Sequence, residues 1–413
     1  MHKPTHRAPS AVHGLPDAER TRHPRLALLA LALGTFSIGT SEFASMGLLQ
    51  LFAGELGLDI PTATHAVEAY ALGVVLGGPA ATLLAAKLNR RHLLLALMTL
   101  FVAGNLLSAM AAGFGSFTLA RFLSGIPQGA YFGAGAVVAS YIVGPGQGGR
   151  AFALVMSGLT VATIVGSPLA TLLGQTLGWR NAYLVVSLLG VVSLLSLWHW
   201  MPRSSALNGG PVRQELLALK RGRVWALIAV AALGVASIFA VYTFIGPLVT
   251  QTAGLSEHWI PPALALFGLG MTTGNALGGR LADRHGSMGL VAGFGSALLA
   301  LAWLAVAGAV PWILMAGLFA VGATMMVAIP TIQVRLNEAA PDAPTLMGAM
   351  NLAALNVANA IGAWSGGQAI AQGYGLLSAV WAGFVLTLAG LLLFLWVQRK
   401  PRAVHTVQPV CQS

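Results

Sequence analysis

Thr40 to Leu49 reads TSEFASMGLL. The segment lies near the end of a stretch that starts at Arg25 and is otherwise almost wholly apolar, and it holds one carboxylate, Glu42. A run of this length and character can cross the hydrocarbon core of a bilayer as a helix. An acid at that depth costs about 2.5–3.5 kcal/mol on insertion scales, so it calls for a partner, a watery cavity or a task.

The whole chain shares this apolar character. Of its 413 residues 56% are hydrophobic and only 8% are charged, which is far from the composition of a soluble globular protein and implies an integral membrane protein. The formal charge of +11 does not mark a nucleic-acid surface, because the basic residues sit between the apolar runs rather than along one element. The single cysteine, Cys411, lies in the polar C-terminal stretch, which leaves no intrachain disulfide and no cysteine-rich metal site. The first apolar run follows a basic, histidine-rich tail, as in a signal peptide, but at about 25 residues it is too long for a cleavable segment and reads as a retained span.

Apolar runs of spanning length fall at 26–52, 64–86, 92–112, 116–142, 150–174, 181–201, 224–250, 260–282, 287–308, 311–334, 345–370 and 375–397. These predict an all-α membrane protein of twelve transmembrane helices. The runs divide into a bundle over 26–201 and another over 224–397, joined by a polar linker at 202–223, with tails at 1–25 and 398–413. Lys and Arg concentrate on one side: Lys3 to Arg25, Lys87, Arg90, Arg91, Arg150, the linker, Arg280, Arg284, Arg335 and Arg399 to Arg402. The other side carries Glu55, Asp59 and Glu257, with Arg180 its one clear basic residue. Positive loops stay in the cytoplasm, so both termini are expected there.

The halves repeat. A shift of 197 places Gly73 on Gly270, Gly77 on Gly274 and Lys87 on Arg284, and a shift of 196 places Leu159 on Leu355, Val161 on Val357 and Gly166 on Gly362. Duplicated six-helix halves are a transporter architecture with the substrate site between them near the midplane; a two-barrel channel is the plainer alternative.

Two acids lie within the apolar runs, Glu42 and Glu68, and Arg121 enters span four from the same side. A carboxylate poised between a cation and desolvation can take and release a proton as the conformation changes. The alternative is a static ion pair of Glu42 with Arg121, or, for Glu68, a helix-end acid near water. Along span four, RFLSGIPQGAYFGAGAVV, the residues Arg121, Gly125, Gln128 and Phe132 fall on one stripe, and Gly125, Gly129 and Gly133 form a ridge that permits close helix approach. Gln128 either contacts substrate or bonds a neighbouring backbone. Gly158, Gly166, Pro168 and Gly174 make span five thin and bendable, suited to a pivot between domains. Span eleven places Asn356 and Asn359 on one face, either as cavity residues or as interhelical glue. At the end of span eight, Gly279, Asp283, Arg284 and Gly286 suggest a conformational latch or ordinary loop charge.

Together these pieces resemble the major facilitator superfamily, in particular its twelve-span drug:proton antiporters and their arabinose-efflux-permease-like branch. GTSEFASMGLLQLFAGELGL resembles that branch's first-span signature, with Glu42 at its acid position. RFLSGIPQGAYFG is similar to the span-four motif whose Arg, here Arg121, is tied to proton coupling. GLTVATIVGSPLATLLGQTLGWR is similar to the span-five antiporter motif, with Ser167 before Pro168 where many relatives carry Gly. The similarity runs from about residue 25 to 397. The loop after span two departs from the family, since TLLAAKLNRR has Thr82, Ala86, Lys87 and Asn89 where Gly, Asp, Arg and Gly are usual. The full pattern stands in the second half, at Gly279, Asp283, Arg284 and Gly286.

No P-loop, zinc-ligand spacing or Ser-His-Asp pattern is present, so an enzyme or an ATP-driven pump is not expected, and neither a cofactor nor a metal is called for. The chain reads as a proton-coupled efflux antiporter of the inner membrane, acting by alternating access around a cavity lined by spans one, four, seven and ten. Proton coupling is assigned to Glu42, Arg121 and Glu68; the cavity to Met46, Gln128, Phe132, Phe239, Tyr242, Asn356 and Asn359. That lining suits a neutral or lipophilic compound. A sugar or nucleoside carrier, or a transporter-like regulator that moves nothing, are the rivals. The expected partners are the small-molecule substrate, protons and the lipid bilayer, with no nucleic acid, and the chain is expected to be a monomer.

Overall fold

A computed structural model describes residues 23–85, 87–144, 148–208 and 217–399, with only the backbone at 82–83, 148–152, 283 and 344–345. In lipid every backbone polar group must find its partner within its own segment, so the apolar runs become helices. The first six are α1 (Pro24–Gly47, carried on by Leu49–Leu56), α2 (His65–Leu84), α3 (Arg90–Ala109), α4 (Phe114–Gly125 and Pro127–Val143), α5 (Gly148–Val161, Ala162–Gly166 and Ser167–Leu177) and α6 (Trp179–Trp200). The second six are α7 (Gly222–Gly234 and Ala236–Tyr242), α8 (Ile260–His285), α9 (Met288–Ala307), α10 (Pro311–Met326 and Ala328–Ala339), α11 (Pro344–Ala371) and α12 (Ser378–Arg399). Among the described residues, ten of these helices are long and apolar enough to span a membrane by length and composition alone. The fold is the expected one, twelve helices in two pseudo-symmetric bundles.

The helix ends follow from sequence. Proline opens α1 at Pro24 and α10 at Pro311, where its missing N–H has no intrahelical partner to lose. The Asn89 side chain caps α3 by accepting from the Arg91 amide at 3.0 Å. Gly57, at φ 65°, ends α1 in the left-handed conformation that glycine tolerates.

The internal repeat is also a packing repeat. A methyl on Gly73 would strike the Phe122 carbonyl and one on Gly125 the Tyr70 carbonyl, fixing the crossing of α2 with α4. In the second bundle Gly270 meets the Phe319 carbonyl and Gly322 the Phe267 carbonyl, fixing the crossing of α8 with α10. Adding 197 to 73, 122, 125 and 70 gives 270, 319, 322 and 267, so both crossings use the same four positions. Small residues let backbones approach where lipid supplies no hydrophobic drive between helices.

The bundles meet through α2 with α11 and α5 with α8. Side-chain hydrogen bonds across this seam join Glu42 to Asn359, Ser167 to Tyr242 at 3.1 Å, Gln50 to Thr250 at 3.0 Å and Gln175 to the Glu257 carbonyl at 2.8 Å. Among the described residues these bonds lie at the depth of Glu42 or beyond it, toward the face away from Pro24 and Arg399. The bundles are therefore pinned together on that far face.

Candidate functional site

Glu42 stands on α1, roughly 27 Å along the helix from Pro24 at 1.5 Å per residue. It is 5% exposed, and both of its carboxylate oxygens point at side-chain amides. Gln128 Nε2 on α4 donates to Oε2 at 2.8 Å, and Asn359 Nδ2 on α11 donates to Oε1 at 3.5 Å. One amide belongs to the acid's own bundle and the other to the opposite one. The donating ends are thereby assigned, which leaves Gln128 Oε1 and Asn359 Oδ1 buried without partners. Asn356, one turn from Asn359, donates to the Leu352 carbonyl at 3.0 Å, and its Oδ1 is likewise unpartnered.

Arg121 is fully buried and makes no ion pair with Glu42. Its Nη1 donates to Ser41 Oγ at 3.0 Å and to Asn105 Oδ1 at 3.4 Å, and its Nη2 donates to the Ser41 carbonyl at 3.0 Å. The guanidinium carbon sits 4.5 Å from the Tyr70 ring centre and 5.0 Å from that of Tyr183. Ser41 and Glu42 are consecutive on a helix and point about 100° apart, so a group that serves one turns away from the other. The static ion pair considered from sequence does not form; a carbonyl, a hydroxyl, an amide oxygen and two π faces solvate the cation instead.

The single stripe read for α4 is split. Arg121 turns to Ser41, Gly125 to the Tyr70 carbonyl and Gln128 to Glu42, while Phe132 packs in an apolar cluster of the first bundle with Leu31, Met98 and Tyr131. Ile126, at φ −48° and ψ −43°, keeps the helical conformation ahead of Pro127, so α4 runs on through this point. Gly129 approaches Gly78, whereas Gly133 meets nothing within 4 Å.

Tyr242 bridges the seam, its hydroxyl paired with Ser167 and its ring edge-on to Phe43 at 5.2 Å and Phe267 at 5.1 Å. Met46 and Phe239 are buried in the large apolar cluster that both bundles share. The second bundle reaches the site through α7 and α11, the helices of Tyr242 and Asn359. Glu68 is held elsewhere, one turn into α2, accepting from Thr64 Oγ1 at 3.2 Å and facing His65 Nδ1 at 3.0 Å. The structure does not bring it to Glu42.

Of the residues read as conformational, Gly158 sits against the Ala32 carbonyl and Gly166 against Thr40, so both press α5 onto α1. Pro168 follows a π-helical turn at Ala162–Gly166, a local loosening of the helix found often at functional positions. Gly279 faces open space, Arg284 is exposed, and Gly286, at φ 53°, ends α8 beside Arg335. The Asp283 side chain and the whole of Ala86 lie outside the described residues.

Sequence reasoning missed Ser41, Asn105, Tyr70 and Tyr183, the groups that hold Arg121. Asn105 was the legible one, an amide inside an otherwise apolar run.

Chemically, a carboxylate held by two amides and no cation can gain a proton without breaking an ion pair. Either amide can turn over to offer its oxygen to the resulting O–H.

The family model described as Major Facilitator Superfamily matches residues 31–363. The chain is 38% identical to the inner membrane transport protein YdhP of Escherichia coli, covering 91% of this chain and 97% of that protein. It is 33% identical to the putative transporter AraJ of Escherichia coli (91% and 96%) and 34% identical to a chloramphenicol resistance protein of Streptomyces lividans (89% and 95%). Among solved structures, a D-xylose-proton symporter superposes with a TM-score of 0.68 at 18% identity, over 90% of this chain and 96% of that one, which reports the shared fold. The chain belongs to the major facilitator superfamily and is a multi-pass membrane transporter related to AraJ.

Proposed function

We propose that this transporter exports a small neutral or lipophilic compound across the inner membrane in exchange for protons. It works as a monomer with both termini cytoplasmic, by rocking the bundles 26–201 and 224–397 about their seam. The observation that carries this reading is the placement of Glu42: a buried carboxylate, free of any ion pair, on the seam between the halves and bonded to each. Its apolar and aromatic surroundings, Phe43, Met46, Tyr242 and Phe267, favour a substrate with little charge. The likeness to a chloramphenicol resistance protein supports drug efflux. Arg121 serves the coupling indirectly, by fixing α4 against α1 at Ser41.

The test is uptake into everted membrane vesicles, with a panel of lipophilic drugs and of sugars and nucleosides, under an imposed pH gradient. Gradient-dependent accumulation of a lipophilic compound is the expected result. Accumulation independent of the gradient contradicts proton coupling, and transport of no panel member favours a regulator.

A sugar or nucleoside substrate is the second reading, and a specific observation favours it. Three buried amide oxygens, on Gln128, Asn356 and Asn359, lack a donor. Each costs about 1–3 kcal/mol while unsatisfied, and a hydroxyl-rich substrate would relieve that cost.

A further inference from the structure

We infer that Asn359 couples the protonation of Glu42 to the relative position of the two bundles: it ties α11 to α1 while Glu42 is ionised and releases it when Glu42 is protonated. This rests on the proton-coupling reading of Glu42 given above.

The geometry assigns each atom a part. An ionised Glu42 accepts from Gln128 at 2.8 Å and from Asn359 at 3.5 Å. The shorter bond holds Oε2 as an acceptor, so an incoming proton takes the less engaged Oε1. The new O–H then faces Asn359 Nδ2, donor against donor, and the contact across the seam is lost in that form. Only by turning its amide over can Asn359 offer Oδ1, which is already buried and unpartnered. What it regains is a neutral hydrogen bond in place of a charge-assisted one, about half as strong.

Among the described residues no other group competes for this role. Around Glu42 the titratable side chains are Arg121 from α4, Tyr70 from α2 and Tyr242 from α7, with Tyr183 of α6 behind Arg121. Among the described residues, α3, α5, α8 and α11 bring none to it. Arginine ordinarily stays charged and tyrosine neutral through the range in which a carboxyl group titrates. Among the described residues the other side-chain bonds across the seam, Ser167 with Tyr242, Gln50 with Thr250 and Gln175 with the Glu257 carbonyl, join neutral groups. The pH-sensitive part of the seam therefore passes through Asn359. An empty, ionised carrier stays pinned on its far face, and a proton frees it, which is the condition that keeps an exchanger from cycling unloaded.

The experiment uses the full chain in lipid nanodiscs without substrate, with Cys411→Ser, and with spin labels at Leu84→Cys and Met288→Cys, exposed positions at the termini-side ends of the two bundles. Distances are measured in alkaline and in acid buffer. In the otherwise unmodified protein acidification should move the label pair from long to short distance, by about tenfold in the ratio of the two populations. Asn359→Ala should remove that shift and populate the short distance at alkaline pH. Asn359→Asp, which replaces the donor by a second acid, should populate it further. Glu42→Gln should fix an acid-like distribution. If both Asn359 variants keep the full shift while Glu42→Gln loses it, Asn359 is not the coupling residue and the reading of Glu42 stands. If the shift survives Glu42→Gln, the reading of Glu42 itself fails. An unmodified protein with no shift overturns the Asn359 inference directly.

Discussion

Arg121 reaches Ser41 and not Glu42: its guanidinium donates to the Ser41 carbonyl and hydroxyl, both at 3.0 Å, between the rings of Tyr70 and Tyr183. This buried cation beside the acid on the seam is therefore a clamp between α4 and α1, and it acts on the acid through its field.

Arg121→Lys tests the clamp. Lysine lacks the planar fork and stacks less well, so it forfeits the two-pronged contact with Ser41 and part of a cation–π interaction worth about 0.5–2 kcal/mol. The expected outcome is a lowered melting temperature in detergent and reduced transport, with the pH optimum little changed. A displaced pH optimum at unchanged melting temperature would instead indicate direct contact with Glu42.

Two glycines should respond oppositely to a methyl group. In Gly158→Ala the new carbon meets the Ala32 carbonyl, an overpacking that typically costs about 1–3 kcal/mol. In Gly279→Ala it meets nothing within 4 Å, and the helix gains from alanine's higher propensity. Thermal unfolding should show Gly158→Ala less stable than the unmodified protein and Gly279→Ala unchanged or slightly more stable.

Tyr242→Phe deletes the bond to Ser167 across the seam. Such a bond contributes about 0.5–1.5 kcal/mol, equivalent to about two- to twelvefold in the ratio of the two facing states. Spin-label distances at the termini-side ends should shift by that factor toward the short population. The acid-induced change should persist, since neither Tyr242 nor Ser167 is the group that gains the proton.

Outside the membrane, Arg221 pairs with Asp342 at 2.9 Å and also donates to the Ala339 carbonyl at 3.0 Å, fastening the linker to the end of α10. The hydrogen bond from Arg221 holds the Asp342 carboxyl below its usual range. A depressed native value stabilises the fold above the ordinary aspartate range and loses that contribution as pH falls through the native value. Both side chains are largely exposed, so the effect is small. Asp342→Asn should flatten the acid side of the stability profile and leave transport unchanged.

Much of this architecture is legible in the chain. The twelve spans follow from the length of the apolar runs, because lipid leaves helices as the way to satisfy the backbone. Gly73 and Gly270 declare the repeat because close crossings admit only small residues at equivalent places. Glu42, Gln128 and Asn359 stand out as polar groups in apolar runs. Their meeting does not, since it depends on how two bundles far apart in sequence lean together. The turn of Arg121 toward Ser41 was hidden for a different reason: Ser41 and Glu42 are consecutive on α1, and spacing along α4 does not say which of the two an arginine serves. The absence of Glu68 from the site follows from its depth, because Thr64 and His65 engage it at the helix end.

The central claim is that Glu42 carries the transported proton, and Glu42→Gln measures it most directly. The amide keeps the shape of the side chain and can still bond Gln128, so the protein should fold and insert normally. In everted vesicles, with a compound that the unmodified protein accumulates, the variant should lose accumulation driven by the pH gradient while still exchanging labelled for unlabelled compound. Gradient-driven accumulation at the unmodified level, with the same pH dependence, would contradict the account.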